Sequence, residues 1–346
     1  MIMNKSHTKA ATALLLALTV GATASADQPT EHSYHLSRTI PLAGDGFWDY
    51  LTADSAARRL YVAHSDHVAV LDIDNGEVVG AIPGLQGVHG VAVATGSGHG
   101  FVSDGRAGDI VMFDLKSLGV LAHLPAGDNP DAIILEPVSQ RVFAFNHSGG
   151  DVTVINSADG SPAGTVQVGG ELEFAVADGR GSVFVNVEDT SDIVQIDRNL
   201  EVVNRWPLAP CEQPTGLAMD PQTRRLFSAC RNAMVAVVDA DDGHVVTSVP
   251  IGHGCDGVRL DPDTGLIFTA NGEGTLSIIR EDTPDTYQVV GSVPTQRGAR
   301  TLEIDLPTHK IFTATAKYGP MPPENAGRPL RPPILPGSFV VLEFSR

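Results

Sequence analysis

Asp49, Asp131, Glu173 and Asp256 fall at one position of a recurring unit, together with Thr215, Arg300 and Gly90, the last preceded by His89. A second column of the same unit reads His64, Asp104, Asn146, Val187, Cys230, Asn271 and Thr315, followed by His147, Glu188, Arg231 and Lys317. Carboxylate and amide oxygens brought together from separate units are hard donors, suited to a cation such as calcium. The metal ligands expected from this set are Asp131 and Glu173. The expected ligand-binding residues are Asp49, Asp104, Asn146, Asp256, Asn271 and Arg300. If the site is catalytic, His64 or His89 is the candidate general base or acid of a metal-assisted hydrolase, lactonase or lyase.

The three cysteines fall in the same region. Cys211 precedes a first strand, Cys230 ends the following second strand, and both lie at one end of one unit. In an oxidising compartment they are expected to pair. Closing a loop of about 20 residues stabilises by ~3 kcal/mol at most. Cys255 is left over, as a small buried thiol or as half of a thiol–imidazole site with His253. No G-x-S-x-G elbow, H-E-x-x-H motif, P-loop or C-x-x-C-H haem attachment site is present, so the chemistry those motifs carry has no support here.

The elements that must position these residues form a repeat. RRLYV at 58–62 recurs as GHGFV, QRVFA, GSVFV, RRLFS, GLIFT and HKIFT. The aromatic falls at Tyr61, Phe101, Phe143, Phe184, Phe227, Phe268 and Phe312, with gaps of 40, 42, 41, 43, 41 and 44 residues. Each copy has an apolar run before the aromatic strand, another after it, an Asp/Asn/Gly turn such as Asp74-Asn75-Gly76, and a short last run. Such turns supply the positive φ that tight hairpins need. Four short strands per unit of this period make one blade, and seven units make an all-β, seven-bladed β-propeller of four-stranded antiparallel blades. The seventh unit lacks its fourth strand, and His35–Leu42 matches it. The ring is therefore expected to close by an N-terminal strand completing the last blade, which also covers an open sheet edge.

The units Val70, Asp72, Gly76, Val78 and Val79, and Val238, Asp239, Gly243, Val245 and Val246, together with the block GARTLEIDLPTHKIFTATAKYGP at 298–320, resemble the YncE-like, YVTN-type bacterial seven-bladed propellers. The resemblance covers residues 33–346. It implies the fold and an exported location, and no single reaction.

Residues 1–26 have the pattern of a signal peptide: Lys5 and Lys9, the apolar run 10–20, then Ala24-Ser25-Ala26. That run is too short for a membrane span. Cleavage near Ala26 would leave residues 27–346 as a single propeller domain, periplasmic or secreted, with no membrane insertion. Without the two leader lysines the chain has 21 basic and 41 acidic residues, a net charge of −20. Such a balance disfavours nucleic acid and anionic surfaces. Residues 317–337 carry seven prolines and form an irregular insertion in the last unit. It is expected over the acidic face as a lid or wall, with Tyr318, Arg328 and Arg331 reaching inward. The leading functional expectation is an exported binding or scaffold module for a small molecule, a cation or a protein partner. A subunit of a periplasmic redox complex is a further alternative, although no cofactor-attachment signal supports it.

Overall fold

The computed structural model describes residues 1–2, 33–322 and 332–346. The expected targeting segment thus lies outside the described residues beyond its first two. So do residues 323–331 of the insertion, with Arg328 and Arg331. Residues His32–Arg346 form one compact unit.

Among the described residues there are 28 strands and no helix, arranged as seven sheets of four antiparallel strands. Blades 1–6 span 48–82, 88–125, 130–167, 172–207, 214–250 and 255–294. The seventh consists of Leu302–Asp305, Lys310–Thr315 and Val340–Ser345, with His35–Pro41 as its outermost strand. The innermost strand of each blade neighbours that of the next, and blade 7 neighbours blade 1, so the sheets close into a ring.

The recurring aromatic is the reason these strands pack. All seven aromatics are at most 2% exposed. Successive residues of a strand point to opposite faces, so each second strand serves two interfaces. Leu60 and Val62 pack with Phe312, Ala314 and Val341 of blade 7. Tyr61 and Ala63 pack with Val91, Val102 and Phe113 of blade 2. Both faces are buried, which explains why the second strands read as continuous apolar runs rather than alternating ones.

The hairpin before each second strand is equally regular. The residue three before the aromatic has positive φ in all seven blades: Arg58, Gly98, Gln140, Gly181, Arg224, Gly265 and His309. The left-handed region costs a non-glycine residue strain. Buried acids offset it by capping the turn. Glu136 accepts from the Val138 and Ser139 amides, Asp178 from those of Arg180 and Ser182, and Asp220 from Gln222.

The closing strand runs His35–Pro41 and pairs with Val340–Ser345, placing Ile40 opposite Val341. Ile40 and Leu42 are buried against Leu71, Phe312 and Phe339. Arg38 ion-pairs with Glu343 and donates to the Ile73 and Asp74 carbonyls, so the strand that completes blade 7 also holds blade 1.

Candidate functional site

The second residue of the innermost strand holds an equivalent place in blades 1–6. These residues are Asp49, His89, Asp131, Glu173, Thr215 and Asp256, with Arg300 at the equivalent place in blade 7. His89, not Gly90, therefore occupies the blade 2 position. The signal was present in the sequence: Asp49 precedes Tyr61 by 12 residues, and His89 precedes Phe101 by the same 12. Placing Gly90 in the column overlooked the short 40-residue gap between the first two units. A break in register follows directly in the innermost strand of blades 1–6, as between Trp48 and Leu51 or Pro130 and Ile133. Bulges of this kind re-aim side chains at the rim of a sheet.

Asp49, Asp131, Glu173, Asp256 and Arg300 line a cavity of about 610 Å³, with Tyr50, Asn129, His147, Glu188, Arg231 and Cys255 completing its wall. Thr215 does not reach it; its hydroxyl donates to the Cys255 carbonyl. Tyr50 sits edge-on to Phe174, ring centroids 4.9 Å apart. Beyond this pair lies a smaller, mostly apolar chamber of about 260 Å³ lined by Leu51, Val91 and Ile133, whose charged residues are Arg259 and Glu303. Those two are paired with each other, so the chemistry is concentrated on the acidic side.

The polar groups in and beside the cavity fall into three sets. His89 Nδ1 is 2.7 Å from Asp49 Oδ2 and 3.6 Å from Asp131 Oδ1. Arg300 donates from Nε to Asp256 Oδ2 at 2.7 Å, and its Nη2 is 3.5 Å from Asp49 Oδ1. Arg231 clasps Glu188 at 3.0 and 3.2 Å. Glu173 lies apart from the first set. Its nearest imidazole is His147, at 3.6 Å, whose Nδ1 is 3.0 Å from the Leu172 carbonyl oxygen.

Burial and like charge set the protonation states. Burial, with help from Asp49 and Asp256, raises Asp131 to about 6 against the pull of His89 and His147. Burial raises Glu173 well above the carboxylate range, reinforced by Asp131, Asp256 and Glu188. Burial also raises Asp256, against the attraction of Arg300. For His89 burial disfavours the charge, yet Asp131 and the bond to Asp49 outweigh it and bring its pKa to about 9. Tyr50, buried among four of these carboxylates, is held as the neutral phenol.

The second-strand column has a different fate. Asp104 accepts the Gln86 and Gly87 amides. Asn146 donates to Asp151 and Thr153, and Asn271 to Thr275 and Ser277. All three are at most 1% exposed and stand outside the cavity wall; Asn146 Oδ1 has no hydrogen-bond partner. His64 is also fully buried. It stacks on Phe339 with ring centroids 4.0 Å apart, and burial, then His67, lowers its pKa to about 4. It is a neutral aromatic of the seam, placed away from the cavity.

Cys211 and Cys230 form a disulfide with Cα atoms 5.6 Å apart. Cys255 is a free, buried thiol that donates to the Gly257 carbonyl, and burial pushes it up to about 12. His253 is exposed. The described ends of the insertion are joined by a bridge between Tyr318 and Ile334. Tyr318 packs beside Trp48 and Arg297.

No protein-family model matches the chain. A dihydro-heme d1 dehydrogenase of Pseudomonas aeruginosa is 26% identical over 231 residues, which is 62% of this chain and 46% of that protein. The chain thus spans less than half the length of that relative. Solved structures of similar fold include U3-55K (TM-score 0.75, 11% identity, 90% of this chain and 99% of that one). The WD40 repeats of RRP9 superpose with a TM-score of 0.76 at 11% identity, over 91% and 98% of the two chains. Hydrazine synthase of Kuenenia stuttgartiensis gives 0.65 at 13% identity, over 86% and 96%. At these identities the likeness is one of fold. No helix among the described residues is long and apolar enough to cross a membrane.

Proposed function

We propose that this is an exported propeller of the YncE-like type that works as a binding module, with the central acidic cavity accepting a cation or a cationic ligand. The observation that carries the reading is the charge of the cavity wall. Five carboxylates, Asp49, Asp131, Glu173, Glu188 and Asp256, face two arginines, Arg231 and Arg300, in one space of about 610 Å³. Burial, reinforced by neighbouring carboxyls, raises three of those groups, so their charged forms are disfavoured until a positive partner is at hand. A positive ligand relieves that repulsion. The N-terminal targeting pattern and the Cys211–Cys230 disulfide both fit an oxidising, extracytoplasmic compartment.

The test is calorimetric titration of the purified chain with putrescine and with divalent chloride salts at low ionic strength. Saturable binding of one of them, weakened in Asp256→Asn and by added salt, is the expected result. A folded protein that binds none of them, or binds anions instead, would overturn the reading.

The partial similarity to a dihydro-heme d1 dehydrogenase favours a second reading, as a subunit that docks to a redox partner. The cavity wall holds more acidic than basic side chains, which disfavours the carboxylates of a haem. This reading predicts co-purification with a cofactor-bearing protein and no haem absorption from the chain alone.

A further inference from the structure

We propose that Asp49, His89 and Asp131 form a binding site for one divalent first-row transition ion. The inference rests on the reading of the cavity as a cation acceptor and deepens it by naming the ligands and the class of ion.

The three residues hold equivalent places at the start of the innermost strands of three successive blades, so the rigid ring itself sets their spacing. One donor atom from each lies within 4.8 Å of the other two. Bonds of about 2.0–2.2 Å from a metal to nitrogen and oxygen place neighbouring ligand atoms about 3 Å apart. The His89 separations of 2.7 Å to Asp49 and 3.6 Å to Asp131 already bracket that value.

An independent observation marks the place as a ligand site. Asp131 is 8% exposed, and its Oδ1, the atom facing His89, has no hydrogen-bond partner. The His89 ring nitrogen, at 3.6 Å, is beyond hydrogen-bond distance; a buried carboxylate oxygen without a hydrogen bond is costly, and a metal ion satisfies it. The supports behind the ligands are in place. Thr301 donates to the Asp49 carbonyl at 2.7 Å, and Ser103 donates to that of Asp131.

The donor set selects the ion. Calcium takes six to eight oxygens, whereas one imidazole and two carboxylates suit zinc, cobalt, iron or manganese. Three protein ligands leave coordination positions open toward the cavity, where water or a bound molecule can complete the shell. The other acidic–imidazole group, Asp239, Asp242 and His244, lacks these marks. Asp242 and His244 are exposed, and Asp242 Oδ1 already bonds both the ring and the amide of His244.

The test is titration of chelator-treated full chain with ZnCl2, CoCl2 and CaCl2, followed by calorimetry and, for cobalt, by visible absorption. One equivalent of zinc or cobalt is expected, with calcium weaker by roughly 100-fold. His89→Gln and Asp131→Asn should each weaken zinc by roughly 10–100-fold, while Asp242→Asn leaves it unchanged. Should either cavity variant fail to fold, a paramagnetically shifted imidazole N–H resonance in the cobalt-loaded unmodified protein reads the histidine ligand directly. Absence of that resonance, unaltered affinity in His89→Gln, loss in Asp242→Asn, or preference for calcium would each overturn the proposal. Putrescine binding without zinc or cobalt binding overturns this site and leaves the cavity reading standing; binding of neither overturns both.

Discussion

Arg58 Nη1 lies 2.8 Å from Asp305 Oδ2, an ion pair that joins the first blade to the last across the seam of the ring. The same guanidinium reaches Asp74 at 2.6 Å. Asp305 is fully buried, whereas the Arg58 side chain is 28% exposed. The pair thus lies between the surface and interior regimes of ion-pair energetics.

Arg58→Ala leaves the Asp305 carboxylate buried with only the Thr308 and Ser55 hydroxyls as partners. We expect a loss of about 2 kcal/mol in urea unfolding at pH 7, less than for a fully buried pair because Arg58 is partly hydrated. Bonds from Ser55, Thr308 and Arg58 overcome burial and lower the Asp305 pKa. A depressed carboxyl stabilises the fold above its unfolded value near ~3.9 and ceases to do so as pH falls through the folded value. The difference between variant and parent should therefore narrow below pH ~4; a constant difference down to pH ~2.5 would contradict this account.

His64 gives a second pH signature of the seam. Its ring nitrogens have no hydrogen-bond partner, and its folded pKa is about 4 against ~6.5 unfolded. The unfolded chain takes up the proton first, so this contribution is complete above pH ~6.5 and is lost as pH falls toward 4. One proton limits the slope to ~1.4 kcal/mol per pH unit. His64→Phe, which keeps a flat ring against Phe339, should flatten the stability curve between those limits.

Ile40 sits on the closing strand, 7% exposed, and packs in the cluster shared by blades 7 and 1. Ile40→Ala should cost about 3 kcal/mol. The pairing edge at Val340–Ser345 should then be uncovered more often, which soluble-aggregate formation near the midpoint would report.

Reduction of the Cys211–Cys230 bridge should lower stability by ~3 kcal/mol at most, since the loop it closes is short. Cys255 should resist thiol labelling in the native protein because it is buried and its thiol is pushed up to about 12. One label per chain, taken up only on unfolding without reductant, is the expected count.

Arg300 is the cation that competes with any ligand of the same sign, held by Asp256 and near Asp49. Replacing it by Gln removes a positive charge from a low-dielectric wall. Affinity for a divalent ion should rise by roughly 10-fold at low salt; a fall would place Arg300 among the groups that hold the ligand.

By itself the sequence determined the seven units, the order of strands within them and the strand that closes the ring. These follow from short-range patterns: an aromatic at a steady period, an Asp/Asn/Gly turn after the strand that follows it, and a last unit missing one strand. The column of ring-facing residues was also legible, because equivalent places in equivalent blades must face alike. Only the tertiary structure decided which polar residues keep a free side chain. Asp104 and Asn271 are polar like Asp131, but backbone amides or hydroxyls lie within their reach and consume that capacity. Asp131 Oδ1 has no such neighbour, because the bulge at the start of its strand directs it toward His89 and the open centre. That difference is one of distances across blades, which no local pattern encodes.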